Sequence, residues 1–278
     1  MSRSGAAGAT ALERPPLTAR FDLGRALLAL FCAGVGVFLI LPIFIVIPIS
    51  FSSAQFLQFP PPGWSLQWYR NFFASPAWMN ALKTSASVAL PTTMLATVLG
   101  TAAALALIRS KFPGSGLLNA IIMAPLIVPV IIAACGIFAV FRIWGLVGTL
   151  GGLILAHTAL AIPFVVVTVS ASLRTVDRRL EQAARGLGAS SWVAFRRITL
   201  PLILPGVLSG ALFALVTSLD EVIVSLFIST AQVRPLAVQM WSDVRGAIDP
   251  TIAAISTMLF GFSLVLLLVF TLLRRASR

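Results

Sequence analysis

Six apolar runs divide this chain, at about residues 27–51, 84–108, 117–140, 149–172, 202–228 and 251–273. Each reaches the ~20 residues that a helix needs to cross a bilayer, far more than the ~9–11 of a barrel strand. In hydrocarbon every backbone N–H and C=O must find a partner within the segment, so runs of this length can only be helical. The chain is therefore expected to be an all-α integral membrane protein with six transmembrane helices. Its composition agrees, with 59% hydrophobic and 10% charged residues, against about 25% charged in soluble domains. The first run continues well past the ~7–15 residues of a signal-peptide core and reads as a membrane helix. Ahead of it, residues 1–26 are rich in Ser, Ala, Gly, Pro and Arg without periodicity. They read as a mobile tail, with residues 27–278 as the transmembrane domain.

A net charge of +12 would point to nucleic acid in a soluble chain. Here the cations alternate between loops instead. Arg3, Arg14, Arg20 and Arg25 lie in the tail, Arg109 and Lys111 in the first turn on the same side. Arg174, Arg178, Arg179, Arg185, Arg196 and Arg197 follow in the 173–201 loop, and Arg274, Arg275 and Arg278 at the end. These fifteen face five on the other side: Arg70, Lys83, Arg142, Arg234 and Arg245. The positive-inside bias puts both termini and the 173–201 loop in the cytoplasm, and the partner of the basic surface is the lipid bilayer.

Within that loop lies a short amphipathic stretch. Leu180, Ala183, Ala184 and Leu187 recur at i, i+3, i+4 and i+7, one face of a helix. Asp177 stands before it as an N-cap, Glu181 and Arg185 are four apart, and Gly188 is placed for a left-handed exit. Two alanines on the apolar face leave room for another protein to approach closely, so the stretch reads as a docking helix. The competing reading is a basic helix lying on the anionic inner membrane surface. That reading gives no use to Gly188 or to Ile198-Thr199-Leu200-Pro201.

This stretch resembles the EAA loop of ATP-binding-cassette (ABC) importer permeases. Ala183, Ala184, Gly188, Ile198, Leu200 and Pro201 match that signature in register. Gln182 occupies the position where glutamate is usual, and Glu181 precedes it by one residue, about 100° around the helix. The resemblance extends to Ser218-Leu219-Asp220-Glu221-Val222-Ile223-Val224-Ser225. It continues in Met240-Trp241-Ser242-Asp243-Val244-Arg245 and Asp249-Pro250-Thr251-Ile252-Ala253-Ala254. These segments are similar to the spermidine/putrescine branch. The likeness covers about residues 27–273, with an importer-permease core at about 80–270 and a coupling loop at 173–201.

What the resemblance implies is a type I (MetI-like) permease of the bacterial inner membrane. Such a subunit forms half of a translocation path, here for a polyamine. It pairs with a second, related permease above an ATPase dimer, and an extracytoplasmic binding protein delivers the solute. Glu181, Gln182, Ala183, Ala184, Gly188, Ile198, Leu200 and Pro201 would couple to the ATPase, which uses ATP and Mg itself. The same core also serves permeases for other small solutes.

The chain's own residues carry no competing chemistry. It has no G-x-x-x-x-G-K-[ST] segment for nucleotide phosphates, so no cofactor is expected on this chain and it does not read as an enzyme. His157 has no neighbouring ligand set for a metal and reads as a packing or hydrogen-bonding residue. Cys32 and Cys135 read as small buried residues. A secondary transporter would show coupling-ion sites in repeated halves, and no internal repeat is evident. Asp220-Glu221 is the only acidic pair in a predicted span, ~28 Å along the helix from Pro201. Charge in a membrane is expensive, which marks the pair as a candidate solute path for a cation. The alternatives are the outer water interface or pairing with a partner helix.

Overall fold

The computed structural model describes residues 23–110, 112–246 and 249–276. The expected tail lies almost wholly outside the described residues, as do Lys111 and Arg278 of the charge count. The chain divides into two compact units, one ending at Ile45 and one beginning at Val46. The first is the body of α1 (Leu23–Ser50), a 28-residue helix. Most of its large side chains from Leu27 to Phe44 are exposed, Phe38 at 74%. Leucine and phenylalanine exposed at that density need lipid or another apolar surface as their solvent.

The second unit is organised on three helices that pack along one another: α3 (Pro76–Arg109), α6 (Leu150–Thr175) and α9 (Leu200–Asp220). Ala96, Ala104, Ala161, Val165, Val169 and Ile203 form their fully buried core. Missing side chains make the contact possible. A Cβ on Gly210 would lie 3.0 Å from the Cα of Val165, one on Gly100 2.6 Å from the Cβ of Val165, and one on Gly206 would collide with Ser172 Oγ. Lipid tails are as apolar as leucine, so membrane helices gain cohesion from close backbone approach at such small residues.

The expected third span, 117–140, is two helices, α4 (Ser115–Ile127) and α5 (Val130–Ile143), bent by 111°. Pro129 lacks an N–H and holds Val128 extended at φ −72°, ψ 131°, which ends α4 there. Counted as one span, this pair brings the helices long and apolar enough to cross a membrane to six among the described residues. The second span starts at Pro76 rather than 84, because a proline at the first helical position opens the helix early. The polar segment before it holds α2 (Gln67–Ala74). Trp68 Nε1 donates to the Ser52 carbonyl at 2.9 Å, and Tyr69 Oη pairs with Ser50 Oγ at 2.8 Å.

The expected fifth span, 202–228, also breaks, between α9 and α10 (Ile223–Ile228). The following loop contains α11 (Leu236–Gly246), and α12 (Thr251–Ala276) is the last span. Asp249 Oδ1 caps α12 by accepting from Thr251 N at 2.8 Å, which explains the Asp-Pro-Thr order at that boundary. An isolated antiparallel bridge, Ser52–Trp64, is the only β pairing among the described residues. Cys32 in α1 and Cys135 in α5 are exposed free thiols, contrary to the expected buried positions. In lipid an apolar thiol needs no protein cover.

Candidate functional site

The helix expected in the 173–201 loop is α7 (Arg178–Gly186). Asp177 Oδ1 accepts from Arg179 N at 2.9 Å and starts it. At its end Gly188 N donates to Arg185 O at 3.0 Å and Ala189 N to Ala184 O at 3.0 Å. This paired closure needs a left-handed residue, and Gly188 supplies it with φ +92°. Space does not demand glycine there, since a Cβ would meet nothing within 4 Å. Backbone conformation alone selects the residue.

The structure sorts the predicted coupling residues by direction. Leu180 is 49% exposed and Leu187 91%, and Ala183 between them is exposed as well. Trp192, in the following α8 (Ser191–Ala194), adds 66% exposed indole nearby in sequence. Ala184 is half-buried, so the outward apolar face is Leu180, Ala183 and Leu187 rather than all four residues. Gln182 is exposed, whereas Glu181 turns inward and forms an ion pair with Arg109 at the end of α3. Arg178 Nη2 donates to the Ile108 carbonyl beside it.

Ile198, Leu200 and Pro201 lie in the membrane helix rather than in the loop. Residues Phe195–Thr199 form a π turn that joins α8 to α9 without interruption, and Leu200 N donates to Phe195 O. Proline inside a helix removes one hydrogen bond and crowds the carbonyl four residues back, here that of Arg197. The widened turn immediately ahead of Pro201 relieves that crowding.

At the other end of α9 the acidic pair separates. Glu221 Oε1 accepts from Val224 N at 2.8 Å and caps α10, so its carboxylate has local structural work. Asp220, the last residue of α9, is exposed. Glu221 is extended at φ −74°, ψ 107°, which produces the break. His157 of α6 ties both sides of it together: Nδ1 meets Ser218 Oγ at 2.9 Å, and Nε2 meets Ser225 Oγ at 2.8 Å. With His157 2% exposed and both ring nitrogens bonded, it is a hydrogen-bonding clamp of the interior.

Two cavities were not signalled by sequence. One of about 310 Å³ has a mixed lining in which Asn80, Thr84, Gln232, Arg234 and Gln239 alternate with alanines. The other, about 410 Å³, is apolar and lined by Phe72, Leu82, Ala89, Leu219, Ile255 and Phe262 among others. The ion pair Arg109–Glu181 was also missed, since 72 residues separate its members. Among the described residues no three His, Cys, Asp or Glu side chains gather to hold a metal.

The family described as binding-protein-dependent transport system inner membrane component matches residues 96–278. The spermidine/putrescine transport system permease protein PotC of Haemophilus influenzae is 32% identical over 240 residues, covering 86% of this chain and 93% of the relative. The putrescine transport system permease protein PotI of Escherichia coli K12 is 34% identical over 233 residues, 81% of this chain and 82% of the relative. In structure the chain is similar to a bacterial ABC transporter involved in the import of the acidic polysaccharide alginate. The TM-score is 0.68 at 15% identity, over 94% of this chain and 99% of that one, which shows a common fold. The chain belongs to the family of binding-protein-dependent transport inner membrane components, and it is a permease subunit of an ABC importer, a class in which ATP hydrolysis resides in a separate subunit.

Proposed function

We propose that this subunit forms half of the path for a polyamine such as spermidine or putrescine. The observation that carries the reading is Asp220, an exposed carboxylate at the break of a membrane helix. Its neighbour Glu221 is held in a cap, so this reading assigns the cationic solute to Asp220. Broken helices are where transporters place solute contacts, because the interrupted backbone must face a cavity or protein. The relatives named for spermidine and putrescine support the same class of solute.

In this reading the end of the molecule that carries α7 faces the cytoplasm, together with both termini, in the inner membrane. Leu180, Ala183 and Leu187, with Trp192 beside them, seat in a groove of the ATPase dimer. Gln182 lies at the edge of that contact. Ala184 and Gly188 shape the helix from behind, and Ile198, Leu200 and Pro201 carry its movement into α9. A second permease completes the path, and a binding protein docks at the opposite end. The support for this assembly is the family and the exposed apolar face of α7.

The test is uptake into vesicles holding the assembled complex and its binding protein. Labelled spermidine and putrescine are compared with a neutral disaccharide and an acidic oligosaccharide. Saturable uptake of the polyamines alone supports the proposal. Uptake of a neutral or acidic solute without polyamine uptake would overturn the solute assignment while leaving the family untouched.

A further inference from the structure

Arg178 and Glu181 are three residues apart on α7 and therefore share one side of the helix. That side faces away from the exposed Leu180, Ala183 and Leu187. Both side chains reach the final turn of α3, Arg178 to the Ile108 carbonyl and Glu181 to the Arg109 guanidinium. The carbonyl is one of the last four of its helix, which have no partner within the helix, and a cation there also suits the helix dipole. The Arg109 and Glu181 side chains are only 18% and 23% exposed, so solvent screens the pair less than it would a surface pair. α7 also meets α8 and the π turn at Phe195–Thr199, and short turns flank it, Val176-Asp177 before and Leu187–Ser190 after. Arg178 and Glu181 join it to α3 as well.

We propose that Glu181–Arg109 and Arg178–Ile108 form a strut that locks the docking helix to α3. The lever so formed is 34 residues long, about 51 Å. It packs against α6 and α9 through the central core, and its far end carries Asn80 and Thr84 of the 310 Å³ cavity. A shift of α7 is then passed along α3, through the turn at Pro91, to the other end of that helix, and a shift there is returned to α7. The acid of this chain thus faces inward at 181, while Gln182, at the usual position for acid, remains outward and neutral.

The proposal rests on α7 being the docking helix, and the experiment separates the two. The complete complex, reconstituted in nanodiscs, is assayed for ATPase copurification, basal ATPase activity and stimulation by its binding protein. Copurification reads docking, and the stimulated-to-basal ratio reads transmission. Arg109→Gln and Glu181→Gln are each expected to lower that ratio about fivefold, the upper range for a partly exposed ion pair, with copurification and basal activity kept. The charge exchange R109E/E181R is expected to restore it. An unchanged ratio in the single variants, or no restoration by the exchange, overturns the strut. Loss of copurification in Glu181→Gln alone overturns it too, by assigning Glu181 to the ATPase contact. Should the single variants fail to accumulate, the exchanged variant decides: a wild-type ratio supports the strut and a low one overturns it.

Discussion

Replacing His157 by alanine tests whether the α9–α10 break is held from α6. The substitution removes two hydrogen bonds, 2.9 Å to Ser218 and 2.8 Å to Ser225, among groups that are at most 5% exposed. Two stranded buried hydroxyls could cost ~1–3 kcal/mol each. Serine in a helix has an escape, however, as Ser209 shows by donating to the Pro205 carbonyl at 2.7 Å. Ser218 can turn in the same way toward the carbonyl of Ala214, and Ser225 toward that of Val222 three residues back, so the hydrogen-bond loss falls nearer ~0.6 kcal/mol each, the usual value within membranes. The vacated imidazole volume adds about 2 kcal/mol. The sum is about 3 kcal/mol, or roughly 6–12 °C in the melting temperature of a chain this size.

The assay is thermal unfolding of the purified complex, with spermidine uptake measured on the same preparation. Uptake should fall with stability, because the clamp holds Ser218, two residues before Asp220. Replacing all three partners by apolar residues (His157→Leu, Ser218→Ala, Ser225→Ala) should recover most of the stability, since no buried polar group is then left unpaired. A His157→Ala complex melting within about 2 °C of wild type would refute the clamp. So would a triple variant no more stable than the single one.

Ala183→Asp should abolish ATPase copurification while the permease still inserts, whereas normal copurification would remove Ala183 from the docking face. Asp220→Asn should lower uptake of a cationic solute substantially with assembly intact. One charge pair at about 4 Å is worth roughly 4 kcal/mol at an effective dielectric of about 20, before desolvation is subtracted; wild-type uptake would return Asp220 to a helix-packing role. Gly210→Val should destabilise the core by forcing α9 from α6, seen as a lower melting temperature, since its Cβ alone would meet the Val165 Cα at 3.0 Å. A cysteine at Ser191 should react with an impermeant thiol reagent only from the cytoplasmic face, and one at Gln67 only from outside. The opposite pattern would reverse the topology argued from the arginines.

The helical class and the number of apolar runs were legible because hydrocarbon permits so few backbone solutions. The Asp177 cap and the Gly188 exit were legible because each is set by residues a few positions away. Breaks within runs were less so. Pro129 marks the bend of α4 and α5, but proline is also tolerated within membrane helices, as Pro91 is in α3. No local signal marks Glu221 as the end of α9. The clamp at His157 and the strut at Arg109 join residues 61 and 72 positions apart, which periodicity cannot reach. Direction on α7 was half legible: three of four apolar positions face outward, and Ala184 turns in because the Glu181 side is tied to α3.

The central claim is that energy enters at α7 and a polycation crosses beside Asp220. It is tested most directly in sealed vesicles of known orientation, with ATP enclosed on the α7 side and binding protein with spermidine on the other. Accumulation against a gradient, absent when ATP is placed only outside and absent in Ala183→Asp, is the predicted result. Accumulation with ATP on the side opposite α7, or spermidine entry independent of ATP, would contradict the account.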